Sequence, residues 1–221
     1  KFGGQILYRK MVDEILIWQG AAYGVRLSDG TEILADSVIS NADVWTLYGS
    51  LVKPKHIKPK RMEWAQKFEP TPATLVLYIS VKEEAIPEGT EPIEFYVRNV
   101  HDVQGGDNYM VYIPSLEDPT IAPPGTHSIT AMGTSQVDWP RPRDRFYRSE
   151  EYKKLKEQET ERVLNVLQDN YLPNLKENII SIDVGTASTI EKYTMKYKGN
   201  IGGPKFTTEQ FFFNRLKARS D

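Results

Sequence analysis

The sequence predicts an α+β fold, a mostly antiparallel sheet with helices on one face, together with a small β-meander at its start. Three observations carry this. The first forty residues alternate short apolar stretches with turn residues, and residues 73–134 repeat that pattern with longer, more β-branched and aromatic stretches. By contrast, Ser149 to Tyr171 carries apolar residues at helical spacing on a charged background.

In chain order, Ile6 to Tyr8, Val12 to Trp18, Ala22 to Leu27, Ile33 and Val38 to Ser40 are apolar stretches separated by Gln19-Gly20 and Ser28-Asp29-Gly30. Asp and Gly favour tight turns, so the string reads as a meander. Val12, Ile15, Val25, Leu27, Val38 and Ile39 alternate with Asp13, Arg26 and Asp36, which predicts their burial in one small sheet. After Asn41-Ala42 the pattern turns helical. Asp43 is placed to cap a segment Val44 to Val52, and Pro59 suits the first turn of a second helix running through Arg61 to Phe68. The intervening Lys53 to Arg61 holds five cations and two prolines. It reads either as a solvated basic loop or as a docking surface for anionic lipid.

Ala73 to Val81 is long and apolar enough for a central strand, with Ile93 to Val97, Tyr109 to Ser115 and His127 to Thr134 as neighbours. Tyr78, Phe95, Tyr96, Tyr109, Met110, Tyr112 and Met132 fall on these strands, where period-2 geometry sends alternate residues to opposite faces. In the helix, Ser149 is the expected cap, Glu150 and Glu151 favour the N-terminal dipole, and Tyr152, Leu155, Val163, Val166, Leu167 and Tyr171 form its apolar stripe. A strand at Ile179 to Val184 follows, then a small-residue turn and a helix ending in a Gly-rich loop. The stretches 114–125 and 139–143 read as surface loops.

Composition excludes several classes. With 39% hydrophobic and 26% charged residues the chain fits a soluble globular protein, and no apolar run approaches the roughly 20 residues of a membrane-spanning helix. A formal net charge of −2 supplies no global basic field to hold nucleic acid. Cysteine is absent, which removes disulfides and a thiol nucleophile and fits a reducing compartment. The three histidines, His56, His101 and His127, lack metal-ligand spacing, so no metal site is expected. No serine-hydrolase elbow or P-loop occurs. The chain begins at Lys1-Phe2 and has no Gly-x-Gly-x-x-Gly between a strand and a helix, which predicts an interior piece of a longer protein.

The order of parts from Gly3 to Asp43 is more specific than the meander: a Gly-Gly entry, a Val-x-x-Ile strand, Gly-Val-Arg-Leu, an Asp-Gly turn, and Ala35-Asp36-Ser37-Val38-Ile39-Ser40-Asn41-Ala42. Together with the tail Lys198 to Arg215, a Gly-rich loop followed by Gln-Phe-x-x-x-Arg, it resembles the phytoene desaturase, carotenoid isomerase and retinol saturase family of FAD-dependent oxidoreductases. The sequence departs from that family at Ala187-Ser188, where proline is usual.

The resemblance implies residues 1–41 as the meander of an FAD domain, 42–194 as a substrate domain, and 195–221 as the return toward FAD. It implies a flavoprotein that desaturates, saturates or isomerises a polyene or similar lipophile, with both ends of the flavin site outside this chain, so that FAD belongs to the parent protein. On the family pattern Val12 lies beside the adenine through its backbone and Asn41-Ala42 forms the turn leaving the FAD domain. Each has an ordinary alternative, a core strand residue and a helix-leading turn. One face of the second sheet is implied to line the cavity over the flavin, which makes Tyr78, Tyr96, Tyr112 and Met132 the substrate-facing candidates. No catalytic residue stands out. The expected location is cytoplasmic or peripheral to a membrane, with contact through residues 53–61 and no nucleic-acid partner. A non-catalytic lipophile-binding module or an interaction domain with the same fold is the alternative.

Overall fold

A computed structural model of the chain describes residues 3–101, 108–210 and 213. Two compact units form, one from residues up to 69 with the segment from 207 onward, the other from 70–206.

In the first unit, β1 (Val12–Trp18), β2 (Ala21–Leu27) and β3 (Glu32–Leu34) pair antiparallel in sequence order. Gln19 and Gly20 both take left-handed backbone (φ 48 and 82), the geometry a two-residue hairpin turn requires. At the second turn Asp29 accepts from the Thr31 N–H at 3.0 Å and pairs with Lys10 at 2.8 Å. Ile15, Leu16 and Leu27 are buried, and Val12 and Val25 are half-buried. The expected burial of Val38 and Ile39 is overturned. Backbone pairing to β2 ends where Ala35 N–H meets the Tyr23 carbonyl, and beyond it Val38 is half-buried outside any strand while Ile39 is 97% exposed. Ile6 to Tyr8 likewise forms no strand, because alternation without a partner strand supplies no ladder.

Asp43 caps as expected, accepting from Thr46 N–H at 2.7 Å, but the helix it starts is short. One α turn, α1 (Val44–Thr46), gives way to a wide turn in which Val52 N–H reaches back five residues to Leu47. The second helix, α2 (Pro59–Lys67), opens on Pro59. Trp45 Nε1 donates to the Phe68 carbonyl at 3.0 Å and Gln210 bonds both backbone groups of Glu69. These contacts tie α1 and the tail to the end of α2.

The second unit is a five-stranded antiparallel sheet in the order β5 (Ile93–Tyr96), β6 (Tyr109–Tyr112), β7 (Thr126–Ser135), β4 (Ala73–Lys82), β8 (Ile179–Gly185). The stretch predicted as a central strand is β4, paired along its whole length with β7. Helix α3 (Glu150–Asn170) begins where Ser149 Oγ accepts from Tyr152 N–H at 3.2 Å. Its Tyr152, Val163, Leu164 and Leu167 pack in one core with Leu75, Leu77, Ile79 and Val81 of β4, Ile129 and Ala131 of β7, and Tyr109 and Val111 of β6. Arg162 donates to the Tyr109 hydroxyl at 2.9 Å and pairs with Glu159, so the buried phenol and the guanidinium beside it are both satisfied. Helix α4 (Ala187–Thr194) follows β8, capped by Thr186, and adds Ala187 to the same core. Residues 195–206 stay with this sheet because Asn200 Nδ2 donates to the Thr71 carbonyl at 2.6 Å and Thr71 N–H to the Gly203 carbonyl at 2.9 Å. The compact units therefore divide at 69/70 and 206/207, following contacts, where the reading from sequence divided the chain by role at 41/42 and 194/195. Phe211, Phe212, Asn214 and Arg215 of the tail motif lie outside the described residues.

Candidate functional site

Cross-strand partners share a face, so the register of the second sheet sorts its residues without ambiguity. One face carries the core under α3. On the other, Phe95, Met110, Met132, Val76 and Gly185 are successive partners, making one straight row across all five strands. The next row is Ile93, Tyr112, Thr130, Tyr78 and Asp183. A third runs Ser128, Ser80, Ser181. The face therefore grades from apolar and aromatic to hydroxylated.

The face is open toward β5 and around Tyr78 but covered at Val76, which is only 8% exposed. Phe95 is 69% exposed, Tyr78 55% and Ile93 51%, while Met110, Tyr112 and Met132 are half-buried against one another's strands. Tyr112 donates its hydroxyl to Glu117 at 3.3 Å; partial burial first, and then the Glu117 charge, raise its pKa above the ordinary tyrosine value. Asp183 accepts from the Val184 N–H at 2.8 Å, which holds its carboxylate beside the Tyr78 row.

Three of the four substrate-facing candidates, Tyr78, Tyr112 and Met132, come together on this face. Tyr96 does not. Its cross-strand partner is the buried Tyr109, so it is turned to the opposite face and packs half-buried against the core. Met110 and Phe95 complete the surface, with Val76 buried in line with them, and none of the three was singled out as a site residue, because alternation along a strand fixes which residues share a face only once the partner register is known. In the first unit, Val12 opens β1 opposite Leu27 and is half-buried. Asn41 is exposed and Ala42, whose N–H reaches Ser40 Oγ at 3.3 Å, leads into α1. An open groove of about 520 Å³ lined by Trp18, Gln19, Ala21 and Tyr23 lies on the same meander.

A flavin dinucleotide needs helix-start N–H groups for its pyrophosphate. Helix α2 begins with a proline, which has no N–H, and α3 begins with Glu150 and Glu151, which repel phosphate. The start of α4 is capped by Thr186 and closed off by the backbone of Gly199, where a Cβ would lie 2.5 Å from Ala187 Cα. The described residues therefore do not fit a dinucleotide pyrophosphate. Among them, no group of His, Asp and Glu gathers as metal ligands, and no helix is long and apolar enough to cross a membrane. His127 Nδ1 is engaged by Ser115 Oγ at 2.9 Å.

Along the chain a three-stranded meander is followed by a five-stranded antiparallel sheet packed by helix on one face. Residues 1–167 match the flavin containing amine oxidoreductase family, and the chain belongs to it. Among curated proteins it is 28% identical to prolycopene isomerase from Daucus carota over 90% of this chain and 32% of that protein. It is 25% identical to the lycopene-forming phytoene desaturase of Pseudescherichia vulneris over 81% of this chain and 37% of that protein. The chain thus spans about a third of the length of these relatives. A crystal structure of a Pyrococcus furiosus protein shares the fold with a TM-score of 0.50, 20% identity, and coverage of 80% of this chain and 37% of that one.

Proposed function

We propose that this chain is the substrate-side part of an FAD-dependent oxidoreductase that desaturates, saturates or isomerises a polyene or similar lipophile. The observation that carries the reading is the row Phe95, Met110, Met132 with Ile93 and Tyr112 beside it, an apolar track across β5, β6 and β7 of a sheet whose other face is already packed. An unpaired apolar surface of this breadth on one side of a sheet marks a binding surface. Relatives named for prolycopene isomerisation and phytoene desaturation support a long apolar substrate. Tyr78, Tyr112 and Met132 are its wall; Val12, Asn41 and Ala42 are assigned to the FAD side, and the flavin, when bound, supplies the redox chemistry. Pyrophosphate contacts come from outside the described residues. The lipid contact read at 53–61 has weaker support, since Lys53 is paired with Glu14 at 2.7 Å and Arg61 lies over the Trp64 ring.

The test is a fluorescence titration of residues 1–221 with cis-parinaric acid, a conjugated fatty acid. Saturable enhancement is expected, weakened at least about tenfold by Met132→Asp, because a carboxylate cannot be desolvated under an apolar chain. Equal affinity in a variant of unchanged circular dichroism refutes the wall. A second reading, an interaction domain, rests on the same exposure of Phe95 and Tyr78; it requires no probe binding and a self-association that Met132→Asp abolishes.

A further inference from the structure

The segment before α3 and the end of α4 meet in a surface that neither the fold nor the substrate reading uses. Residues 141–148 carry four arginines and one aspartate, and residues 191–198 three lysines and one glutamate, in a chain whose formal net charge is −2. The two segments are tied together. Arg141 Nε donates to Glu191 at 2.9 Å, the Arg141 guanidinium lies 5.2 Å over the Tyr197 ring, and Ser188 Oγ donates to the Pro140 carbonyl at 2.5 Å. Lys192 bridges them from the other side, 5.5 Å from the rings of both Tyr147 and Tyr193.

The arrangement covers one of its two acids, Glu191, and displays most of its cations; the other acid, Asp144, is exposed and accepts from the Arg141 N–H at 2.7 Å. The Glu191 side chain is only 14% exposed beneath Arg141, whereas Arg143, Arg145, Arg148, Lys192 and Lys198 are exposed. Apolar tips stand among them: Tyr193 is 71% exposed, Phe146 50% and Met195 49%. Met195 takes the left-handed position just past α4 (φ 61), usually filled by glycine, and Arg148 and Lys198 are left-handed as well (φ 67 and 54). Side chains at such positions cost backbone strain, which persists where the surrounding structure and the use of the side chain hold it.

From this geometry we propose that residues 141–148 and 192–198 form a docking surface for anionic phospholipid bilayers. Cations beside exposed aromatic and thioether tips are the combination that settles at a headgroup boundary, the charges meeting phosphate and the tips entering the acyl edge. A single-stranded nucleic acid is the rival partner, but it needs open ring faces for base stacking. Here Phe146 carries Arg145 at 4.6 Å, Tyr147 carries Arg148 and Lys192, and Tyr197 carries Arg141 and Lys198. The charge pattern suits headgroups better than bases.

The experiment is co-sedimentation of residues 1–221 with phosphatidylcholine vesicles with and without phosphatidylglycerol, at low and high salt. Binding only to the anionic vesicles, weakened by salt, is expected. Replacing Arg143, Arg145 and Arg148 by Gln should lower partitioning roughly 100-fold at low salt, leaving the Arg141–Glu191 tie intact. Phe146→Ser with Tyr193→Ser should remove the residual binding that survives high salt. Gln substitutions at Lys53, Lys55, Lys58, Lys60 and Arg61 should change neither. Absence of parent binding, equal binding by the arginine variant at matched circular dichroism, or loss of binding only in the 53–61 variant overturns the proposal. So does retardation of a single-stranded oligonucleotide under conditions where vesicles do not bind. The outcome is independent of the sheet-face reading, since the arginine variants should retain cis-parinaric acid binding and Met132→Asp should retain vesicle binding.

Discussion

Gly199→Ala separates packing from backbone strain at the junction that closes the second unit. Gly199 has φ 65, and an added Cβ would lie 2.5 Å from Ala187 Cα and 2.6 Å from the Ala187 carbonyl carbon, both backbone atoms of the first residue of α4. A backbone neighbour cannot rotate away, so either α4 or the loop must shift. Left-handed strain costs about 1–2 kcal/mol and forced overpacking about 1–3 kcal/mol, which together give about 2–5 kcal/mol. Gly89 supplies the internal control. It has φ 81 with nothing within 4 Å of the added carbon, so Gly89→Ala should show the strain alone, about 1–2 kcal/mol. At about 2–4 °C per kcal/mol for a chain of this size, thermal unfolding of Gly199→Ala should fall by about 4–20 °C and clearly further than that of Gly89→Ala. Equal losses in the two variants would refute the close approach of the Gly-rich loop to α4.

Two further outcomes follow from the structure. The Tyr171 hydroxyl is buried with no hydrogen-bond partner among the described residues, and burial, then the Glu94 charge acting without a sound hydrogen bond, push its pKa up to about 12. A raised tyrosine pKa contributes stability that is complete below the unfolded value of about 10 and is lost as pH rises toward the folded value. Urea midpoints taken between about pH 9 and pH 11.5 should therefore fall more steeply for the parent than for Tyr171→Phe, and parallel slopes would refute the assignment. Residues 1–221 should purify colourless, because the starts of α2, α3 and α4 do not fit a pyrophosphate; a stoichiometric flavin spectrum from this chain would overturn that expectation.

Local signals were legible where one residue type decides the outcome. Asp43, Ser149 and Pro59 mark helix starts in the sequence and stand at helix starts in the structure, and Gln19-Gly20 turns the hairpin. What the sequence did not carry was pairing. Val38 and Ile39 alternate correctly for a strand yet have no partner, since β3 ends at Leu34. Tyr96 and Tyr112 looked equivalent, but Tyr96 opposes Tyr109 in the core row and Tyr112 opposes Thr130 on the open face. The basic surface was hidden for a different reason: its two segments are separated by a 21-residue helix and a strand, and a net charge near zero averages it away.

The open face also constrains how a lipophile could lie on it. Strands β4 and β7 are each ten residues, about 33 Å long, whereas five strands span only about 19 Å between edges. An extended chain laid along β4 and β7 would cross from the Met132 and Val76 row to the Ser128 and Ser80 row, leaving apolar surface for hydroxyls. Laid across the strands, it stays on Phe95, Met110 and Met132 and reaches β4 where Val76 is buried. The crossing orientation keeps the chain off the hydroxyl row, so its desolvation cost is lower. Substitutions should then separate by row: Met110→Asp and Phe95→Asp should weaken cis-parinaric acid binding as Met132→Asp does, and Ser80→Asp, exposed but outside the row, should leave it unchanged.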